Sequence, residues 1–229
     1  MKKIILVVAV LSSIIGAFAA ETFRELPVFD WDPGSEWRNV KDFGAVGDGV
    51  HDDTAAIQSR LDAGASCVYL PPPAKEYRIS KALLLSSNCE LRLDRNTVVR
   101  LAPGSRCSMV ENRHYEKGDR NLAVTGGRWE YDNVLQPENR IRSQLTKAYS
   151  RDFDRGCIFI FDKVDRLAVR GVTFANPVTY SCQLTRTTNF TVEARFVTFA
   201  YSYASRDVPI PWVSFSGEGD RQGEQLKIA

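Results

Sequence analysis

The sequence predicts an all-β protein built as a parallel β-helix, a stack of short-stranded coils whose first coil is covered by one short helix. Three observations lead there. Asn39–Gln58 joins a short apolar segment, a glycine-rich turn and the start of a helix. A series of short apolar strands separated by turn residues follows. Similar segments then recur along the second half of the chain.

Residues 1–19 stand apart from this pattern. Lys2 and Lys3 precede an apolar run from Ile4 to Ile15, and Ala17-Phe18-Ala19 has the small-x-small form of a cleavage site. These features mark an export signal. A membrane anchor is the other reading, but the run is shorter than the roughly 20 residues a span needs. The expected location is secreted or periplasmic. No later segment is apolar enough to cross a membrane.

The chain carries 30 basic and 28 acidic residues, and removal of Lys2 and Lys3 leaves 28 of each. That balance points to neither nucleic acid nor an anionic membrane as partner. With two histidines, His51 and His114, and no C-x-x-C pair, the sequence predicts no metal site and no cofactor. The five cysteines are Cys67, Cys89, Cys107, Cys157 and Cys182. Export permits one or two disulfides. The competing reading buries most of them as small apolar residues, as in Ser66-Cys67-Val68-Tyr69-Leu70.

Residues 20–38 form an N-terminal arm with a turn at Asp32-Pro33-Gly34. Its aromatics Phe29, Trp31 and Trp37 either tack the arm to the body or stack on sugar rings. Next, Val40 and Phe43 are expected to point inward from a first strand. Gly44, Gly47 and Gly49 permit the positive φ of a tight turn. Asp52, Asp53 and Thr54 offer oxygens to the free N–H groups of a helix start. Ala55, Ala56, Ile57, Leu61 and Ala63 supply an apolar stripe, and Gly64 a stop. Asp48, Asp52 and Asp53 invite a calcium or catalytic-dyad reading, but turn and cap roles account for them. The helix would cover the first coil.

Short strands are expected at Cys67–Leu70, Tyr77–Ser80, Ala82–Leu85, Leu91–Leu93 and Val98–Leu101. Asn121–Gly127, Arg166–Phe174 and Asn189–Phe199 resemble one another. Val124 to Val169 is 45 residues and Val169 to Val192 is 23, which reads as two coils and then one. Between them, Trp129–Phe153 is rich in Arg, Asn, Gln and Asp and reads as an inserted loop or helical excursion. Its arginines either meet an acidic polysaccharide or form a solvated, salt-bridged surface.

The opening stretch N-V-K-D-F-G-A-V-G-D-G-V-H-D-D-T-A-A-I-Q resembles the start of the pectin-lyase-like right-handed β-helix proteins. Val172–Pro177, Tyr180–Leu184 and Asn189–Val192 resemble the coils that precede the active site in polygalacturonase-like hydrolases, glycoside hydrolase family 28. The combined resemblance spans Asn39 to Tyr203. It implies a partial β-helix domain over 39–203 and an acidic plant-type polysaccharide as substrate. It also implies inverting hydrolysis, in which one carboxyl protonates the leaving oxygen and another activates water.

The resemblance does not carry catalytic residues onto this chain. The family's N-T-D, D-D, G-H-G and R-I-K segments have no counterpart beyond Tyr203, and Asp207 stands in an unmatched context. No catalytic residue and no metal ligand is assigned, and no hydrolysis by this chain alone is expected. Residues 204–229, with Pro209, Pro211 and a polar, glycine-rich stretch from Gly217, read as an irregular tail. A gene fragment or frame shift near Ala204 is the expected cause. The last coil, bearing Phe190, Val192, Val197 and Phe199, would then lie uncovered and favour self-association. A lyase of the same fold, working by proton abstraction, and a non-catalytic carbohydrate-binding β-helix are the alternative functions.

Overall fold

The computed structural model describes residues 31–136, 157–177, 180–197, 213–217 and 225–228. The signal segment, most of the 129–153 insertion and Asp207 lie outside them. The described chain is a right-handed parallel β-helix, as the sequence predicts. Its strands are β1 (Trp37–Asn39), β2 (Cys67–Leu70), β3 (Tyr77–Ile79), β4 (Leu83–Leu85), β5 (Cys89–Leu93), β6 (Val98–Leu101), β7 (Val110–Asn112) and β8 (Asp119–Thr125). They continue with β9 (Arg128–Glu130), β10 (Phe159–Asp162), β11 (Val164–Ala175), β12 (Cys182–Thr185), β13 (Thr188–Val197), β14 (Val213–Gly217) and β15 (Gln225–Ile228).

These strands make three faces. Face 1 runs β1-β2-β5-β8-β11 and face 2 runs β3-β6-β9-β11, the two joined through the long, bent β11. Face 3 runs β4-β7-β10-β12. Alternation decides what each face buries. On face 1, Val68, Leu91, Val124, Val169 and Val192 pair position for position. All five are fully buried and form one apolar column through the core.

That column corrects the coil count. Val124 and Val169 are direct neighbours, so the 45 residues between them are one coil carrying a large insertion, not two coils. Parallel pairing constrains the strands alone, and connections can lengthen without disturbing the ladder. The insertion also begins later than expected. Trp129 lies in β9 and is fully buried, stacked edge-on against Phe159 with ring centroids 4.9 Å apart.

The N-terminal end is closed face by face. Strand β1 pairs with the outer edge of β2. Asp52 forms a bridge to Arg78 of β3, and Asp53 N–H donates to Arg78 O at 2.8 Å. Over face 3 lies helix α1 (Thr54–Asp62), whose Ile57 and Leu61 enter the core. Its Gln58 side chain bonds both backbone groups of Leu84 in β4. The stripe is narrower than expected, since Ala55 and Ala63 face solvent. The expected first strand at Val40–Phe43 is a 3-10 turn. Val40 is buried there, whereas Phe43 is 41% exposed beneath the Arg60 guanidinium.

Tight corners join face 3 to face 1. Asn88, Asn121, Arg166 and Asn189 all take positive φ there, a conformation asparagine tolerates better than most residues. Their side chains link successive coils. Asn121 Nδ2 donates to Asn88 Oδ1 at 2.6 Å, and Arg166 Nε donates to Asn121 Oδ1 at 2.6 Å. The five cysteines are all free thiols, four of them buried.

Two parts of the stretch expected to be irregular are strands. Strand β14 pairs antiparallel with Phe190–Ala194 of β13, and β15 pairs antiparallel with β12. Open strand edges carry unpaired N–H and C=O groups that any extended segment can satisfy. The chain occupies these edges itself, so the premise for self-association through an uncovered last coil does not hold there.

Candidate functional site

The aspartates of the opening motif build the turn. Asp53 is 2% exposed, and its carboxylate accepts from the N–H groups of Val46 at 2.6 Å, Gly47 at 3.2 Å and Arg78 at 3.3 Å. It makes no side-chain cap to α1, contrary to the sequence expectation, because these loop amides take its oxygens. Asp52 accepts from Thr54 N–H at 3.0 Å and from the Thr54 and Ser80 hydroxyls. Partial burial would raise the Asp52 carboxyl, but those bonds outweigh it and hold it below the usual range. Asp48 accepts from the N–H groups of His51 and Val50, which lower its pKa.

Both histidines are tied to acids. His51 Nδ1 lies 2.6 Å from Asp48 Oδ2 at the surface. His114 Nδ1 lies 3.0 Å from Asp119 Oδ1, whose side chain is fully buried. Asp119 also accepts from Ser87 N–H at 3.0 Å, Ser87 Oγ at 2.8 Å, Asn112 Nδ2 at 3.1 Å and His114 N–H at 2.8 Å. The arrangement fixes the connection between β7 and β8.

Face 3 carries acids that sequence reasoning missed. Leu84, Glu111, Ile160 and Gln183 form one outward row on successive coils. Asp162 projects from the same face, one coil and two residues from Glu111, a backbone separation of about 8 Å. Both carboxylates are engaged. Asp162 takes Arg186 Nε at 2.8 Å and a second bond from Nη2. Glu111 accepts from the Ser108 and Tyr115 hydroxyls. The missed signal was the short apolar run Ile158–Phe161 closed by Asp162, which marks a buried strand ending in an acid. Among the described residues, the outward row of face 3 is thus mixed, with Leu84 and Glu111 half-buried and Ile160 and Gln183 buried.

Comparison with known proteins agrees with this architecture. The family model for "Rhamnogalacturonase A/epimerase, pectate lyase-like" matches residues 37–157. The mannuronan C5-epimerase AlgE4 of Azotobacter vinelandii is 40% identical over 110 residues, 39% of this chain and 20% of that protein. Alginate lyase 7 of the same organism is 51% identical over 61 residues, 22% of this chain and 7% of that protein. The matches thus span a fifth or less of these relatives' length. The solved structure of PfbA, a surface adhesin of Streptococcus pneumoniae, superposes with a TM-score of 0.55 at 22% identity. It covers 76% of this chain and 40% of that one, a likeness of fold.

Proposed function

Because the chain belongs to the rhamnogalacturonase A/epimerase, pectate lyase-like family, we propose that it forms the first coils of an exported protein that acts on an acidic polysaccharide. The observation that carries this reading is the match over residues 37–157, which takes in the helix cap, two full coils and the first two strands of a third. Residues 1–19 serve export to a secreted or periplasmic location, and the arm of residues 20–38 runs into the β-helix domain, whose first strand already starts at Trp37.

Two reaction classes fit this substrate. In the hydrolase reading, of the polygalacturonase-like kind, an acid and a base stand across the glycosidic bond. In the second reading a base removes the proton at C5, which the neighbouring carboxylate makes acidic. Expulsion of the C4 oxygen then gives a lyase, and return of the proton to the opposite side gives an epimerase. A mannuronan C5-epimerase and an alginate lyase among the relatives support that second reading. In either case Glu111 and Asp162 are engaged by Arg186, Ser108 and Tyr115, and the reacting groups are placed outside the described residues.

The test incubates the full chain with polygalacturonate and with alginate. Retention on the immobilised polymers is measured together with new reducing ends, ultraviolet-absorbing unsaturated ends and C5 inversion by NMR. Retention with no product is the expected result. Robust turnover would overturn the binding-only role of this chain, and failure to be retained by either polymer would overturn the substrate class.

A further inference from the structure

The far end of the stack is closed by strands of the chain itself. Strand β14 pairs with Phe190–Ala194 of β13 on face 1, and β15 pairs with Cys182–Thr185 of β12 on face 3. Both run antiparallel, whereas every other strand pairing among the described residues is parallel. A parallel neighbour needs a crossover that brings the chain back in the same direction. A reversed strand takes the edge without one. We infer that β14 and β15 together form a releasable cap, a strap that keeps the last coil from pairing with a second copy of this chain.

The cap continues the rows of the core in register. Phe215 pairs with Val192, next in line after Val68, Leu91, Val124 and Val169, the buried column of face 1. On face 3, Ile228 pairs with the buried Cys182, in line with Leu83, Val110 and Phe159. Leu226 pairs with the buried Leu184, in line with Phe161. Polar residues take the positions between. Ser214 pairs with the exposed Glu193, Ser216 with Thr191, Gln225 with Thr185 and Lys227 with Gln183. The segments read V-S-F-S-G and Q-L-K-I, the alternation expected of strands that cover one apolar layer. Apolar positions thus fall on the core rows, and serine, glutamine and lysine on the outer ones.

The cap also exchanges a long edge for short ones. Strand β13 has 10 residues, and a bare edge of that length is a template for another chain. In its place stand strands of 5 and 4 residues whose sequences carry serines, a glutamine and a lysine. Short, polar and charged edges protect sheets from edge-to-edge pairing, and stacked-coil proteins need such polar ends to stay soluble. At the opposite end the Gln58 amide of α1 does the same for the edge of β4. A tethered strand meets the edge at a high effective concentration, so a second copy competes only after the strap is released.

Size-exclusion chromatography with light scattering, run on the full chain at a low and a high concentration, tests the cap. The wild-type chain is expected to stay monomeric at both. Phe215→Asp and Leu226→Asp place a charge in register with Val192 and Leu184. Each should give species of about twice the monomer mass or more as concentration rises. Ser214→Lys, on the alternate row, should stay monomeric. Hydrogen exchange at the low concentration separates release from unfolding. In the two Asp variants protection should fall within Cys182–Thr185 and Phe190–Ala194, while Leu91 and Val124 keep theirs. A wild-type chain that associates overturns the cap, as do Asp variants that remain monomeric or keep this protection. A Ser214→Lys variant that behaves like Phe215→Asp overturns the alternating register on which the cap is built. Loss of protection at Leu91 and Val124 along with the rest overturns it too, because the two strands would then belong to the core instead of closing it.

Discussion

Gln58 of helix α1 treats Leu84 of β4 as a neighbouring strand would: its Oε1 accepts from Leu84 N at 2.8 Å and its Nε2 donates to Leu84 O at 3.2 Å. One amide side chain thereby completes the edge of face 3 that no strand covers. Asn112 repeats the device inside the stack, accepting from Asp162 N at 2.8 Å and donating to Asp162 O at 3.0 Å. Both pairs supply a side-chain amide where the main-chain ladder has no partner.

Gln58→Ala should therefore cost about 1–3 kcal/mol, since it leaves both Leu84 groups without their partner. Urea unfolding followed by circular dichroism checks this. Ser59→Ala, at an exposed position of the same helix, should change stability little. Equal midpoints for the two variants would remove the capping role.

Asp53 ties the Ala45–Gly47 turn to β3, so Asp53→Ala should cost about 3 kcal/mol through three lost bonds to a buried carboxylate. Asp53→Asn should cost less, because one oxygen remains to accept. The comparison separates hydrogen bonding from helix capping: a capping role would make the loss independent of the Val46 and Gly47 amides. Their hydrogen-exchange protection in Asp53→Ala reads this directly.

Gly126 and Gly64 both have positive φ, yet substitution should affect them very differently. A Cβ at Gly126 would lie 2.0 Å from the Leu93 carbonyl oxygen, whereas at Gly64 it would meet nothing within 4 Å. Gly64→Ala should cost about 1–2 kcal/mol of backbone strain. Gly126→Ala adds a backbone clash between coils and should lower stability by more than 3 kcal/mol or prevent folding. Soluble yield and urea midpoints of the two proteins decide the matter.

Asp119 should make stability depend on pH. Burial alone would raise its carboxyl, but hydrogen bonds from His114, Ser87 and Asn112 outweigh burial and hold it below its ordinary value. A depressed folded pKa means the contribution is fully present above the unfolded value, about 3.9, and is lost as pH falls through the folded value. Asp119→Asn should be about 2 kcal/mol less stable than wild type at pH 7. The gap should close below about pH 4. A gap that stays constant from pH 7 to pH 3 would show that the charge is not what holds the turn.

By itself the sequence determined the architecture and its start. The alternating apolar positions of Val68, Leu91, Val124, Val169 and Val192 are local facts, and each forces one side of a strand inward. Gly44 and the stop at Gly64 are likewise local, because only their own positive φ requires them, whereas a Cβ at Gly47 would also lie 2.5 Å from Pro73 Cβ. Tertiary structure decided everything that depends on which strand lies beside which. The spacing between Val124 and Val169 could be read as two coils until their pairing showed one. Asp53 looked like a helix cap until the Val46, Gly47 and Arg78 amides converged on it. Glu111 and Asp162, 51 residues apart in sequence, share a face, and Trp37, Tyr69 and Arg92 meet from three separate strands. Coil lengths vary with their turns, so sequence spacing does not fix a neighbour; hydrogen-bond register between parallel strands does.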